Sequence, residues 1–222
     1  MSKFAVSYSR LSTFKNCPRQ FEYLYILKSV KDEGNIHTEY GERVHKSLEM
    51  YGKTLDTAHL TAETRKFKPA VDVILKRFPH AEFEYQMAIN ADEDECSWFD
   101  SDTWVRGILD VLAVEGSNAF VADWKTGKVK PDPEQLKMFA SLVFKAYPEV
   151  DTVTSVFIWL KFDETTPVTY KRDQANILWA GLERRIDAVQ EAVDTGVFPA
   201  KPSGLCPWCA AKDVCPDAKL RR

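Results

Sequence analysis

The stretch between Gly107 and Lys125 constrains the fold of this chain more than any other. Two apolar arms flank a turn cluster at 115–118, and this arrangement predicts a β-hairpin. A symmetric loop at that cluster places Asp110 directly opposite Asp123 on the neighbouring strand. Because side chains alternate between the two faces of a strand, Asp123 and Lys125 are expected on the same face.

Two carboxylates that face each other across a pair of strands repel, and like charges in this position destabilise a sheet. A divalent cation with oxygen ligands is the simplest group that would hold Asp110 and Asp123 together. Lys125 would then lie one pleat away from the ion. The alternative is that both aspartates are solvated on an exposed face of the sheet.

Length and composition are those of an ordinary globular chain. The 222 residues suffice for one domain with a full core, and the formal net charge is −3. A nucleic-acid ligand would therefore need a local basic surface, because the field of the whole molecule does not attract it. No apolar run approaches the ~18 residues of a membrane-spanning helix, and the N-terminus lacks the apolar core of a signal peptide. We therefore predict a cytoplasmic protein without membrane contact.

Hydrophobic periodicity predicts both helices and strands. Helical spacing occurs at 7–27, 38–52, 60–78, 134–146 and 174–195. Strand patterns occur at 82–89, 152–162 and 167–171, in addition to the hairpin. The strand at 82–89 is expected to turn every second side chain to one face, with Glu84 on the opposite face. Its apolar residues are Phe83, Tyr85, Met87 and Ile89.

The C-terminal tail carries a cysteine pattern typical of a metal site. Cys206 and Cys209 form a C-x2-C pair, and Cys215 supplies a third thiol nearby. Three clustered thiols need a fourth ligand, and Cys17 is the best candidate because it lies beside a proline where two short helices meet. Cys96 is the alternative fourth ligand. The other interpretation is a set of unrelated small core residues.

Six motifs follow one another along nearly the whole chain. They are S-x-L-x-x-F-x-x-C-P-x-x-F at 9–21, G-x-x-x-H at 41–45, G-x-x-D at 107–110, D-x-K at 123–125, Q-x-x-x-F at 135–139 and C-x2-C-x5-C at 206–215. In this order and spacing they resemble the PD-(D/E)XK nuclease superfamily. The resemblance is greatest to its RecB-like branch with an iron–sulfur cluster, which includes CRISPR-associated four-cysteine nucleases and AddB-type nuclease domains. The family's Q-x-x-x-Y is changed here, because Phe139 lacks the tyrosine hydroxyl.

The resemblance implies a restriction-endonuclease-like α/β fold, with a mixed central sheet flanked by helices. It implies a single domain over 1–222, in which 38–196 form the nuclease core while 1–27 and 197–222 form a cluster-binding part. A 4Fe–4S cluster would join the N-terminal helices to the tail, and Zn²⁺ is the alternative occupant. The implied cluster ligands are Cys17, Cys206, Cys209 and Cys215.

The resemblance also implies a catalytic site for Mg²⁺ or Mn²⁺. The implied metal ligands are His45, Asp110, Asp123 and the carbonyl of Trp124. Glu84 would assist through a water, and Lys125 would orient the attacking water or stabilise the developing charge. The implied reaction is metal-dependent hydrolysis of DNA phosphodiester bonds.

DNA is the expected partner of such a site. The resemblance implies DNA contacts by Gln135 and Phe139, and the basic turn residues Lys128 and Lys130 would hold phosphates unless the turn is simply solvated. We expect an exonuclease acting on DNA ends or single strands, with partner proteins from recombination, repair or CRISPR-type systems. Two alternatives stay open: a non-catalytic nucleic-acid-binding or partner module of the same fold, and a zinc-binding interaction protein.

Overall fold

The structure is a computed structural model that describes residues 3–221, so residues 1, 2 and 222 of the predicted domain lie outside it. The α-helices are α1 (Tyr8–Asn16), α2 (Pro18–Phe21), α3 (Ile36–Thr54), α4 (Lys68–Arg77), α5 (Pro133–Ala146) and α6 (Ala175–Thr195). The strands are β1 (Glu82–Asn90), β2 (Thr103–Glu115), β3 (Asn118–Lys125), β4 (Thr152–Trp159) and β5 (Glu164–Lys171). Within 3–221, no helix combines the length and apolar character needed to cross a bilayer.

A mixed five-stranded sheet forms the centre of the fold. Its strands lie in the order β1–β2–β3–β4–β5, with β3 and β4 parallel and the other neighbours antiparallel. Helix α5 connects the two parallel strands, because parallel neighbours need a crossover connection. This arrangement confirms the predicted α/β class with a mixed central sheet.

Each face of the sheet carries its own hydrophobic core. The first core packs α1, α5 and α6 against one face, and the second packs α3 and α4 against the other. Along β3, Val121 belongs to the first core while Ala122 and Trp124 belong to the second, as alternation of side chains requires. The end of β3 therefore lies between two layers of helices and can receive side chains from both.

The predicted hairpin consists of β2 and β3, and its register is confirmed. The backbone pairs are Val111–Ala122, Leu112–Val121, Ala113–Phe120, Val114–Ala119 and Glu115–Asn118. Gly116 in the turn has a φ of +57°, which glycine adopts without steric cost. Backbone pairing of the two strands ends just before Asp110 and Asp123. Asp110 and Asp123 therefore lie just beyond the last paired residues of β2 and β3.

The alternation predicted for β1 breaks at Glu84. Phe83 packs in the second core, whereas Tyr85 and Met87 pack against the first. Glu84 has a φ of +50° and interrupts the pairing of β1 with β2 opposite Asp110. The prediction that Phe83 shares a face with Tyr85 is therefore wrong, because a left-handed residue between them turns the strand over.

Gly52 marks the close approach of α3 to β1. A methyl group added there would lie 2.5 Å from the ring of Phe83. We expect Gly52→Ala to lower the free energy of unfolding by about 1–3 kcal/mol, because overpacking a filled core displaces its neighbours. Gly181→Ala is the control, since only the end of Arg184 would be near, at 3.8 Å, and it should stabilise α6 by about 0.5–1 kcal/mol. Urea unfolding of both variants measures the difference, and a Gly52→Ala protein as stable as wild type would contradict this packing.

Candidate metal and catalytic site

Three side chains with metal-ligand chemistry converge beside the end of the hairpin. His45 comes from α3, Glu84 from β1 and Asp110 from β2, and one ligand atom of each lies within 4.8 Å of the others. His45 Nδ1 is 3.2 Å from Asp110 Oδ1 and 4.0 Å from Glu84 Oε1. These three residues, called here the carboxylate–histidine cluster, offer the oxygen and nitrogen donors of a divalent-metal site.

Asp110 is anchored where the β2–β3 ladder ends. Its Oδ2 accepts a hydrogen bond from the Trp124 N–H at 2.6 Å. The Trp124 carbonyl in turn lies 2.9 Å from His45 Nε2. Three of the predicted metal-binding groups, on His45, Asp110 and Trp124, are therefore brought together by α3 and the hairpin.

The left-handed backbone of Glu84 accompanies the placement of its carboxylate in the cluster. Such a conformation costs a non-glycine residue on the order of 1–3 kcal/mol and concentrates at functional sites. The motifs implied only an indirect role for Glu84, through a water. The structure instead brings its carboxylate close enough to His45 and Asp110 for all three to share one ion.

Burial and neighbouring charges shift the protonation of the cluster. Burial alone would lower the pKa of His45, but the hydrogen bond and charge of Asp110 outweigh it and raise the pKa to about 9. Burial and the charge of Asp110 raise the pKa of Glu84. The same two causes raise the pKa of Asp123, against the opposing effect of Lys125. The crowded carboxylates thus favour a proton on the imidazole, which metal binding would have to displace.

Asp123 and Lys125 lie next to the cluster, on the side of α5. Asp123 Oδ2 forms an ion pair with Lys125 Nζ at 2.6 Å. Gln135 Nε2 donates to Asp123 Oδ1 at 2.6 Å, and Gln135 Oε1 accepts from Lys125 Nζ at 2.9 Å. Asp123, predicted as a ligand together with Asp110, is 5% exposed and stands outside the group of three mutually close ligand atoms.

The two side chains of α5 that were expected to contact DNA, Gln135 and Phe139, both face the interior of the protein. The side-chain amide of Gln135 is engaged by Asp123 and Lys125. Phe139 is 3% exposed and packs in the first core beside Gly107, where an added methyl group would lie 3.4 Å from its ring. Contrary to the expectation, the ring of Phe139 offers no surface to DNA, because it fills the space that Gly107 leaves between β2 and α5.

An open cleft of about 690 Å³ leads to the cluster. Gly41 lines it and allows α3 to approach the chain beyond β3, since an added methyl group would lie 3.3 Å from Thr126 Oγ1. Lys128 and Lys130 are exposed on the segment between β3 and α5. The cluster is therefore accessible from solvent through a cleft large enough for an extended ligand.

The structure brings Cys17, and not Cys96, together with the tail cysteines. The residues that line a cavity of about 230 Å³ include Cys17, Cys206, Cys209 and Cys215. Backbone N–H groups point at two of them: Lys201 donates to Cys17 Sγ at 3.4 Å and Ser203 to Cys206 Sγ at 3.3 Å. Across residues 3–221, no three thiol sulfurs lie within 4.8 Å of one another. Cys17 and the three tail cysteines thus line one cavity without forming a compact three-sulfur group.

The sequence matches the model of a known protein family. The family model described as the PD-(D/E)XK nuclease superfamily aligns with residues 5–216, a range that contains the carboxylate–histidine cluster and the four cysteines of the cavity. The chain belongs to the PD-(D/E)XK nuclease superfamily. PD-(D/E)XK nucleases use divalent metal ions, and His45, Glu84 and Asp110 are close enough together to bind one.

Proteins similar to this PD-(D/E)XK chain include a helicase/nuclease subunit and a protein of known structure. One of the subunits of the ATP-dependent helicase/nuclease of Carboxydothermus hydrogenoformans is 35% identical over 72 residues, which cover 31% of this chain and 6% of that protein. The chain thus spans only a small part of that curated relative. The crystal structure of a putative exonuclease from Eubacterium rectale superposes with a TM-score of 0.55 at 10% identity, over 97% of this chain and 87% of that one. The second similarity supports the fold.

The structure adds to the sequence prediction at two residues of this PD-(D/E)XK site. The resemblance implies that Glu84 assists through a water, whereas its carboxylate lies close enough to His45 and Asp110 to share an ion with them, and its left-handed conformation has no sequence signature outside glycine, asparagine and aspartate. Tyr8 received no role at all, yet its hydroxyl bonds Asp132 at the start of α5. An Asp–Pro pair before an apolar helical segment is a recognisable signal for the start of a helix, so the sequence indicates Asp132 as the N-cap of α5. It does not indicate that Tyr8 donates to this residue.

Proposed function

We propose that this chain is a Mg²⁺- or Mn²⁺-dependent deoxyribonuclease that hydrolyses phosphodiester bonds as an exonuclease at DNA ends or single strands. The observation that carries the proposal is the position of Asp123 and Lys125 directly beside the carboxylate–histidine cluster. A metal site alone suits many functions, whereas a lysine at its edge suits phosphoryl chemistry, in which negative charge develops on oxygen. Action in the cytoplasm with recombination, repair or CRISPR-type partner proteins is part of the same proposal.

The donor groups fit a divalent ion. His45, Glu84 and Asp110 supply three mutually close donors, and the Trp124 carbonyl lies beside His45. The charges of Asp110 and Asp123 repel each other, and a divalent ion near both would relieve this repulsion in addition to the Lys125 ammonium, which lies 2.6 Å from Asp123 Oδ2. When bound, the ion would polarise the phosphate and lower the pKa of a bound water.

Basic side chains of the chain would act on the DNA itself. The ammonium of Lys125 is held between Asp123 and Gln135, from where it would donate to the attacking water or to a phosphate oxygen. This interaction strengthens as charge develops in the transition state. The exposed Lys128 and Lys130 would bind the sugar–phosphate backbone, a contact that gives affinity without reading sequence.

Cleavage of end-labelled DNA tests the proposed function. An anaerobic preparation is incubated with single-stranded and with double-stranded DNA, in Mg²⁺, in Mn²⁺ and in EDTA. We expect release of nucleotides from the labelled ends only when metal is present. DNA binding without cleavage in all of these conditions would contradict the proposal and favour a non-catalytic nucleic-acid-binding module.

For the cysteine cavity we propose a 4Fe–4S cluster bound by Cys17 and the three tail cysteines. Tetrahedral Zn²⁺ binds thiolates at about 2.3 Å and would hold the sulfurs about 3.8 Å apart. No three thiol sulfurs among residues 3–221 lie within 4.8 Å of one another, and this, with the cavity of about 230 Å³, favours the larger group over zinc. The N–H groups aimed at Cys17 and Cys206 are of the kind that tune iron–sulfur clusters. When bound, the cluster would tie the tail to the α1–α2 junction.

Cys17→Ala should lose the cluster and lower stability, because an incomplete metal site leaves the tail untethered. Cys96→Ala is the matched control, since Cys96 lies outside the cavity with its sulfur 3.8 Å from Thr103 Oγ1. Iron, sulfide and thermal unfolding are measured on both anaerobically purified variants. Full iron in Cys17→Ala together with loss in Cys96→Ala would reverse the ligand assignment, and stoichiometric zinc without iron in the wild type would contradict the cluster.

A further inference from the structure

We infer that Tyr8 is a positioning residue, which holds the first turn of α5 and through it the pair Asp123 and Lys125. The kinetic part of this inference rests on the proposed nuclease function. Three linked contacts form the path: Tyr8 to Asp132, Asp132 to the start of α5, and Gln135 to the catalytic pair. Each contact is a hydrogen bond between groups that packing or the backbone already restrains.

The first contact joins the N-terminal segment to the start of α5. Tyr8 begins α1, its ring packs against the first core, and its hydroxyl donates to Asp132 Oδ2 at 2.7 Å. Helix α1 ends at Asn16, and Cys17 of the cysteine cavity follows directly. The helix that leads into the cysteine cavity therefore also contacts the residue that starts α5.

The second contact is made by the other oxygen of the same carboxylate. Asp132 Oδ1 accepts from the N–H of Glu134 at 3.1 Å and so caps α5. Pro131 and Pro133 flank Asp132 and restrict the backbone on both sides. Asp132 accordingly has a φ of −108° and a ψ of 101°, the extended conformation expected before a proline. The start of α5 thus has little freedom to move independently of Tyr8.

The third contact reaches the catalytic pair. Gln135 lies in the first turn of α5, and its N–H donates to the Asp132 carbonyl at 3.2 Å. Its side-chain amide then donates to Asp123 at 2.6 Å and accepts from Lys125 at 2.9 Å. Because one rigid amide holds both groups, a shift of this turn would misplace the Lys125 ammonium. A displacement of about 1 Å in such a group can cost roughly 10²-fold in rate.

Tyr8→Phe removes only the hydroxyl and tests the path kinetically. On end-labelled DNA we expect kcat to fall roughly tenfold with KM unchanged, because the position of Lys125 matters mainly in the transition state. Gln135→Ala should lower kcat further, and adding Tyr8→Phe to it should change little, since both act through the same groups. Tyr147→Phe is the matched control: it removes a hydroxyl that bonds Tyr85 at 3.1 Å beyond the opposite end of α5, and it should keep the wild-type kcat.

Chemical labelling of Lys125 gives a readout that does not need nuclease activity. The ammonium is engaged by Asp123 and Gln135, so we expect its acetylation rate, followed by mass spectrometry, to rise in Tyr8→Phe and to stay unchanged in Tyr147→Phe. Wild-type labelling and wild-type kcat in Tyr8→Phe would overturn the inference, as would rate losses that multiply in the double variant. If the wild type cuts no DNA, the proposed function fails while the labelling still decides the role of Tyr8.

Discussion

Asp110→Asn is expected to abolish DNA cleavage, with a loss on the order of 10³-fold or more, because the ion loses a charged ligand. Asp110 accepts from the Trp124 N–H through Oδ2 and lies 3.2 Å from His45 through Oδ1. An amide keeps the shape of the carboxylate and still accepts the hydrogen bond from Trp124, so the fold should be retained. The measurements are the cleavage rate of end-labelled DNA in Mn²⁺ and the Kd for DNA in EDTA.

The control for this variant is Asp72→Asn. Asp72 also accepts two short hydrogen bonds, from Tyr51 and Lys68 at 2.6 Å each, but it lies on α4 outside the cluster. The Asp72→Asn variant should cut DNA at the wild-type rate.

The DNA affinity of Asp110→Asn should equal or slightly exceed that of the wild type, since one negative charge is removed from the cleft. Undiminished cleavage by Asp110→Asn would show that the carboxylate–histidine cluster is not the catalytic site.

Lys125→Met is expected to lower kcat by roughly 10²-fold or more while leaving Mn²⁺ affinity nearly unchanged. Methionine has a similar unbranched side chain but no charge, so the change removes the donor with little loss of packing. The ammonium of Lys125 lies 2.6 Å from Asp123 and 2.9 Å from Gln135, which fixes its direction at the edge of the cluster. Single-turnover cleavage and Mn²⁺ titration of the variant separate the two effects.

Lys128→Met provides the comparison for a lysine outside the site. Lys128 is exposed on the segment after β3, so its loss should weaken DNA binding and reduce the salt dependence of KM while kcat is kept. A change confined to KM in Lys125→Met as well would reduce Lys125 to a phosphate contact and remove its role in the chemical step.

Sequence patterns are sufficient to predict the hairpin and its register. The turn at Gly116 lies midway between two apolar arms, and the period of two fixes which residues face each other. His45 and Asp110 could likewise be assigned to one site with β3, because the motifs that contain them follow the order of the superfamily that the chain resembles. The close approach of helices at Gly41 and Gly107 then follows from the absence of side chains at those positions.

The surroundings of Glu84, Gln135 and Phe139 depend on tertiary packing that a local pattern does not contain. Glu84 adopts a left-handed conformation in the middle of an alternating strand, and its carboxylate lies close to His45 and Asp110, which are distant in the sequence. Phe139 and Gln135 lie four residues apart on one face of α5, and the sequence does not show that this face is turned toward the sheet. Phe139 therefore fills the core, and the amide of Gln135 is used by Asp123 and Lys125.

Mn²⁺ binding, followed by electron paramagnetic resonance without DNA, tests the proposed metal site most directly. The wild type and Asp72→Asn should bind Mn²⁺ with equal affinity. Glu84→Gln and Asp110→Asn should each weaken binding by roughly tenfold or more, equivalent to about 1.4 kcal/mol. Cleavage at limiting Mn²⁺ should fall in the same order as the affinity. Equal Mn²⁺ affinity in all four proteins, or DNA cleavage by the wild type in EDTA, would contradict a catalytic metal site at His45, Glu84 and Asp110.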